Sequence, residues 1–135
     1  MKQASTKVLI VEANDLYRFI IEKMMNKRGL TPISVSSFDA GIYELQRHDF
    51  ELVLFDMRLS EMSDQSFATE FLSTLASRGI ANVALSDSAY NPNQLAWQDL
   101  GFVDCLVKPF RFECLDRVLN SHLFNKVNAA FIPAR

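Results

Sequence analysis

The sequence of 135 residues contains few cysteines, glycines and prolines, and it has no long hydrophobic run. Its two cysteines, Cys105 and Cys114, form no CxxC pair and have no histidine nearby at zinc-ligand spacing, which argues against a structural zinc site. We therefore predict that both are buried thiols. The longest apolar runs have four residues, whereas a bilayer-spanning helix needs about 18 or more. The sequence thus predicts no membrane segment.

An excess of positive charge is also missing. Fourteen Lys and Arg residues stand against sixteen Asp and Glu residues, so direct nucleic-acid binding is not expected. Hydrophobic residues make up 49% and charged residues 22%, which is typical of a globular domain. Residues 1–7 are polar and lack the apolar segment of a secretory signal, so a cytoplasmic location is expected. We predict one domain over residues 1–125, and a C-terminal tail or linker stub over residues 126–135, which show no periodicity.

Short apolar runs alternate five times with longer stretches of helical period, and this alternation is typical of a parallel sheet covered by helices. The predicted strands are residues 7–11, 33–37, 52–56, 80–85 and 102–107. The first and third runs are almost wholly apolar, as expected of central strands, whereas the second alternates like an edge strand. Five βα units predict a flavodoxin-like, doubly wound (βα)5 fold with strand order 2-1-3-4-5 and strands two and five at the edges.

The helical stretches show inner faces of helical period. The first, over residues 15–28, is predicted to place Leu16, Phe19, Ile20 and Met24 against the sheet, with Asp15 as its N-cap. The last, over residues 111–124, has an inner stripe of Phe112, Leu115, Leu119 and Leu123. Gly29, Gly79 and Gly101 each follow a helical stretch and precede a strand, where a left-handed residue lets the chain reverse.

In a doubly wound sheet, function lies outside the carboxyl ends of the strands. Polar side chains stand at four of these ends: Glu12, Asp56, Ser86 and Lys108. Paired carboxylates can hold a hard divalent cation, a hydroxyl can donate a hydrogen bond to a phosphoryl oxygen, and a lysine adds a mobile positive charge. The residues therefore predict a phosphoryl-accepting site at one edge of the sheet.

Four segments in their order and spacing resemble the receiver domain of two-component response regulators, over about residues 5–125. They are KVLIVEAND, LVLFDMRLSEMS, ANVALSDSA and DCLVKPF. The resemblance implies that Asp56 accepts a phosphoryl group from a histidine kinase or phosphotransfer protein, and that Ser86 and Lys108 hold it. It also implies a Mg²⁺ ion bound by Asp56, Glu12 and the backbone carbonyl of Arg58.

The same resemblance implies partners and the extent of the chemistry. The signal is expected to pass to a downstream protein or output domain through helix 4, strand 5 and helix 5. Homodimerisation through the domain stays open. No enzymatic activity is expected beyond accepting the phosphoryl group and self-dephosphorylation.

Three departures from the family pattern predict a degenerate acidic site and an altered switch. Ala13 stands where receivers carry a second acid that binds Mg²⁺ directly, so Mg²⁺ binding is expected to be weakened. Asp87 replaces a small residue, and its charge would repel a phosphoryl group or compete for Lys108. Cys105 replaces the aromatic residue that usually rotates with the switch hydroxyl.

These departures keep two other functions open. The chain could be a pseudo-receiver that acts as a phosphorylation-independent interaction or dimerisation module, with Glu12 serving only as the counter-charge of Lys108. A more remote alternative is a flavodoxin-like binder of a small ligand. That alternative needs a phosphate-binding loop after the first strand, but the segment EANDLY lacks the Ser, Thr and Gly residues of such a loop.

Overall fold

A computed structural model of the chain describes residues 5–87 and 96–124. Five parallel strands form one sheet in the order β2-β1-β3-β4-β5. The strands are β1 (Lys7–Val11), β2 (Thr31–Val35), β3 (Leu52–Asp56), β4 (Ala81–Ser86) and β5 (Asp104–Val107). The helices are α1 (Asp15–Lys27), α2 (Phe38–Arg47), α3 (Gln65–Ser77), α4 (Trp97–Leu100) and α5 (Phe112–Leu119). The predicted tail over residues 126–135 lies outside the described residues.

The predicted fold class, strand order and edge strands are confirmed. The main shift is in β2, which begins two residues earlier than predicted and includes Pro32. Proline has no N–H for a ladder, and an edge strand tolerates it because one side of the strand has no neighbour. Within the described residues, no helix is long and apolar enough to cross a membrane.

The two faces of the sheet are buried under different helices. Alternate residues of the central strands point to opposite faces, so that β1 buries Leu9 on one side and Ile10 on the other. The first face packs against α2, α3 and α4, and the second packs against α1 and α5. β1 and β3 are therefore buried on both faces, as their apolar runs predicted.

The predicted inner face of α1 is wrong in part. Leu16 is 65% exposed and Phe19 is 57% exposed, whereas Ile21 and Met25 are buried against the sheet. This helix carries two apolar stripes at helical spacing, and the stripe one residue further along the chain faces the strands. Periodicity cannot distinguish two adjacent stripes of similar hydrophobicity.

The end of α5 departs from regular helix. The helix continues as a π-helical turn (Asn120–Phe124), and Leu115, Leu119 and Leu123 of the predicted stripe are buried, while Phe112 is half-buried. Cys114 lies on the opposite side and is exposed, so the prediction that both thiols are buried is wrong for this one. Cys105 is half-buried, and burial next to the charge of Asp104 raises the pKa of its thiol to about 11.

Glycine has two uses in this fold. The predicted left-handed positions are confirmed, because Gly29, Gly79 and Gly101 have φ angles of +78°, +82° and +104°. Gly41 serves close packing instead. A Cβ atom at this position of α2 would lie 3.0 Å from a methyl carbon of Val11, so the missing side chain lets the helix approach β1.

Asp104 fastens α5 to the edge strand β5. Its Oδ2 atom accepts hydrogen bonds from Arg117 Nη1 and His122 Nε2, both at 2.9 Å, and its Oδ1 atom accepts one from the Cys105 N–H. Burial by itself would raise the pKa of Asp104, but these hydrogen bonds outweigh it and hold the pKa at about 2. The π-helical turn, whose bonding pattern joins residues five apart, lets Arg117 and His122 reach the same carboxylate.

We predict that Asp104→Asn lowers the free energy of unfolding by about 1 kcal/mol at pH 7. The folded-state pKa lies below that of an unfolded aspartate, so this stabilisation is present above about pH 4 and is lost as the pH falls towards 2. Urea unfolding at pH 7, 4 and 3 measures the difference between the two proteins. The exposed Asp49→Asn is the matched control. A difference that stays constant with pH would contradict the assignment.

Candidate functional site

The register of the sheet brings the four predicted polar residues to one edge. Val11, just before Glu12, is paired with Phe55, just before Asp56. Ser86 at the end of β4 is paired with Val107, just before Lys108. The predicted convergence therefore follows from parallel pairing, because the strands end level with one another.

Three of these side chains form a buried ionic cluster. Glu12 is 1% exposed, Asp56 is 3% exposed and Lys108 is 7% exposed. The ammonium of Lys108 donates a hydrogen bond to Glu12 Oε1 and lies 3.8 Å from Asp56 Oδ2. The other Glu12 oxygen, Oε2, accepts a hydrogen bond of 2.9 Å from the Asn14 N–H. Glu12 thus acts as a counter-charge of Lys108 in this structure.

The two carboxyl groups of the cluster differ in pKa. Burial raises the pKa of Asp56 to about 6, helped by Glu12 and opposed by the Arg58 N–H and Lys108. Burial also acts to raise the pKa of Glu12, but hydrogen bonds from Asp56, the Asn14 N–H and Lys108 outweigh it and hold that pKa below its ordinary value. Added positive charge in the cleft would favour the ionised form of Asp56.

The cluster forms the floor of a cleft of about 730 Å³. Asp56 Oδ1 accepts a hydrogen bond of 2.9 Å from the Arg58 N–H, which fixes the carboxylate relative to the loop after β3. The cleft is lined by Glu12, Ala13, Asn14, Tyr17, Asp56, Arg58, Leu59, Asp87, Lys108 and Pro109. It is large enough for a phosphoryl group and its surrounding waters.

Ser86 lies at the same edge but does not join the cluster. Its hydroxyl donates a hydrogen bond of 3.2 Å to the neighbouring Asp87 carbonyl, and it is absent from the residues that line the cleft. The backbone around it is well fixed, because its own carbonyl accepts the Lys108 N–H at 2.8 Å. A role in holding a phosphoryl oxygen requires this hydroxyl to rotate towards Asp56.

The loop after β1 contributes no acidic side chain to the cleft besides Glu12. Ala13 lines the cleft with a methyl group, and Asn14 is the N-cap of α1, since its side chain accepts the Tyr17 N–H at 2.9 Å. The prediction that Asp15 is the N-cap is therefore wrong. Asp15 pairs with Arg18 instead and is 91% exposed. Neither Asn14 nor Asp15 directs a side-chain oxygen to the place where an acid at position 13 would bind the metal.

Asp87 takes a partner that the sequence did not indicate. Its Oδ2 atom lies 3.7 Å from Nε of Arg58, and both side chains line the cleft mouth. Asp87 forms no ion pair with Lys108 in the described part of the chain, where the ion pairs of that lysine are with Glu12 and Asp56. The positive charge of Arg58 offsets part of the predicted repulsion. The two residues are 29 positions apart on separate loops, so only the topology brings them together.

Tyr17 is a second residue that sequence reasoning missed. The centroid of its ring lies 4.7 Å from Lys108 Nζ, within the range of a cation–π contact. Its ring also lies 6.4 Å from that of Phe110, in the connection between β5 and α5. Its place one turn beyond Ala13 is a signal in the sequence, but the apolar stripe favours Leu16 and Phe19 as the inward residues.

The donor set fits a Mg²⁺ ion that keeps several of its waters. Asp56 and Glu12 present carboxylates to the cleft, and Mg²⁺ is often held by only one or two carboxylates. Both Glu12 oxygens already accept one hydrogen bond each, so an ion bound there would share this carboxylate with the Lys108 ammonium and the Asn14 N–H. In the described part of the chain, no three Asp, Glu, His or Cys side chains are grouped to hold a metal.

Solved structures with the same architecture place this chain among known proteins. The receiver domain of the sensor histidine kinase PA1611 from Pseudomonas aeruginosa, solved with a magnesium ion in its active-site cleft, is 25% identical. The alignment covers 88% of this chain and 98% of that one, with a TM-score of 0.73. The chemotaxis protein CheY4 of Vibrio cholerae is 20% identical over 89% of this chain and 100% of its own, also with a TM-score of 0.73.

A third similar structure is HP1043, an orphan response regulator of Helicobacter pylori. It is 22% identical over 90% of this chain and 99% of its own, with a TM-score of 0.72. No match was found among curated protein sequences. The model of the response regulator receiver domain matches residues 8–120, which span every described strand but the first residue of β1. The chain belongs to the response regulator receiver domain family.

Proposed function

We propose that the domain is a phosphorelay switch in which Asp56 is the phosphoacceptor, with metal-dependent phosphorylation weakened by the altered acidic site. The observation that carries this proposal is the Asp56 carboxylate at the end of β3, buried beside Lys108 and open to a cleft. Its Oδ1 atom is held by the Arg58 N–H, which leaves Oδ2 next to the ammonium. A carboxylate oxygen in this place can attack phosphorus and have its new charge neutralised by the lysine.

The proposed step conserves atoms and charge. An oxygen of the ionised Asp56 attacks the phosphorus of a phosphohistidine on a histidine kinase or phosphotransfer protein. A P–O bond forms, the P–N bond breaks, and the histidine nitrogen retains the electron pair. Lys108 then moves from Glu12 towards a phosphoryl oxygen, and the Ser86 hydroxyl turns from the Asp87 carbonyl to donate a hydrogen bond to another.

Mg²⁺ would be held by Asp56, Glu12 and the carbonyl of Arg58. When bound, the ion neutralises phosphoryl oxygens and brings a positive charge next to Asp56. Glu12 would share its two oxygens between the ion and the hydrogen bonds from Lys108 and the Asn14 N–H, so that the ion and the Lys108 ammonium would compete for the charge of one carboxylate. This competition, together with the methyl group of Ala13, supports weak binding.

A second candidate function is a pseudo-receiver that works as a docking or dimerisation module without phosphorylation. It is favoured by the same engagement of both Glu12 oxygens and by the two acidic-site changes, Ala13 and Asp87. Mg²⁺-dependent binding of beryllofluoride, an analogue of the phosphoryl group, separates the two functions. The switch requires binding to Asp56, whereas the pseudo-receiver requires none.

We further infer that the signal leaves through the face formed by α4, β5 and α5. Val103 precedes β5 and Val107 is its last residue, and they are 48% and 50% exposed. This edge therefore offers apolar surface to a downstream protein, an output domain or a second copy. The proposal includes a cytoplasmic location. It includes no chemistry beyond phosphoryl acceptance and self-dephosphorylation. Flavodoxin-like ligand binding is not favoured by any feature of the cleft.

We predict that Asp56→Asn abolishes phosphorylation by a small-molecule phosphodonor, because the amide has no ionised oxygen to attack phosphorus. Intact-protein mass spectrometry would detect one added phosphoryl group on the wild type and none on this variant. Asp99→Asn, which changes an exposed aspartate of α4, should still be phosphorylated. Equal labelling of the wild type and Asp56→Asn would exclude Asp56 as the acceptor.

We predict that Ala13→Asp tightens Mg²⁺ binding at least about tenfold, since even the loss of residues behind the ligands changes metal affinity by roughly 10 to 100-fold. Ala13→Asn introduces a side chain of the same size as aspartate but without its charge, so its gain in Mg²⁺ affinity should be smaller. Titration with Mg²⁺, followed through the amide NMR shifts of the cleft, gives both dissociation constants. Equal constants for the wild type and Ala13→Asp would refute the weak-metal proposal.

We predict that the effect of Asp87 depends on Arg58, because the arginine offsets the charge of the aspartate. Asp87→Ala should improve beryllofluoride affinity only slightly in the wild-type background. In an Arg58→Gln background, the same change should improve it more, by up to about fivefold, as expected for an exposed charge contact. The double-mutant cycle measures this coupling, and independent effects of the two substitutions would contradict the pairing.

A further inference from the structure

Lys108 has a third partner besides its two carboxylates. Its ammonium lies 4.7 Å from the centroid of the Tyr17 ring, and its side chain is only 8% exposed. The face of an aromatic ring attracts a cation, and the attraction is larger where water is excluded. The ring is therefore part of the pocket that determines where the positive charge of this cleft lies.

The structure fixes Tyr17 from two directions. Its backbone N–H donates to the side chain of Asn14, the N-cap, so the residue is held at the start of α1. Its ring lies 6.4 Å from that of Phe110, at a tilt of 37°. Phe110 follows Lys108 and Pro109 in the chain, so the ring spans the gap between α1 and the connection that carries the lysine.

A lysine side chain is flexible, and a phosphoryl group needs its ammonium in one place. This demand is greater here because Ala13 removes a metal-binding carboxylate, so a larger share of the neutralising charge falls to Lys108. The carboxylates alone do not secure that place, since Lys108 must leave Glu12 when it turns to a phosphoryl oxygen. A ring beside the ammonium stays in contact through such a small movement.

We propose that Tyr17 is a positioning residue, whose ring holds the Lys108 ammonium at the carboxylate end of the cleft both before and after Asp56 is modified. This inference rests on the proposed phosphoacceptor function. It also gives the cleft an aromatic contact of its own, although Cys105 replaces the aromatic residue usual on β5.

The first test is binding of beryllofluoride in the presence of Mg²⁺. Tyr17→Leu should raise the dissociation constant for beryllofluoride about fivefold, as expected for loss of a partly desolvated cation–π contact. Tyr17→Phe keeps the ring face and should bind beryllofluoride with wild-type affinity. Tyr43→Leu is the matched control, because Tyr43 makes a similar contact with Arg47, at 5.1 Å, on the exposed side of α2.

The second test needs neither Mg²⁺ nor beryllofluoride. A ring at this distance shifts the NMR resonances of the Lys108 ε-methylene protons upfield. That shift should be present in the wild type and in Tyr17→Phe, and it should be lost in Tyr17→Leu. Circular dichroism of each variant confirms that the fold is retained.

The outcomes separate this inference from the proposed function. If the wild type binds beryllofluoride and Tyr17→Leu binds it equally well, or if the methylene shift is absent from the wild type, the positioning role is wrong. If Tyr17→Phe behaves like Tyr17→Leu, the hydroxyl rather than the ring is responsible, and the proposal is again overturned. If the wild type does not bind beryllofluoride, the phosphoacceptor function fails and the positioning role fails with it.

Discussion

The pairing of Lys108 with Glu12 and Asp56 is the constraint on which the functional end of this domain depends. Charges removed from water must be paired, because an isolated buried charge is strongly destabilising. The strands that carry these residues must therefore end level with one another, and the loops after them must close over the cluster. The same pairing keeps the lysine next to the acceptor carboxylate, so the interaction that satisfies the buried charges also prepares the site for an incoming anion.

Much of this arrangement could be predicted from the sequence. Apolar runs of strand length identified all five strands, and the parallel order then brought Glu12, Asp56, Ser86 and Lys108 to one edge without any side-chain geometry. Such predictions succeed because they depend on burial and on strand polarity, which are properties of whole elements. The nearly continuous apolar character of β1 and β3 was a sound indication of central strands.

The errors arose where the outcome depended on neighbours distant in sequence or on a shift of one residue, which turns the inner face of a helix by about 100°. Two adjacent apolar stripes on α1 could both face the sheet, and the side chain of Asn14, rather than that of Asp15, caps the helix. The contact between Arg58 and Asp87 joins two loops, and the contact between Tyr17 and Lys108 joins the first helix to the last strand connection. No local pattern records such pairs, because each exists only after the sheet has assembled.

Gly41 links helix packing to the acidic site from behind the sheet. A Cβ atom at this position would require Val11 to give way by a few tenths of an ångström, and Val11 immediately precedes Glu12. A side chain at position 41 would therefore press on β1 one residue before the acid that pairs with Lys108. A helix that contributes no residue to the lining of the cleft thus packs directly behind the strand that leads into Glu12.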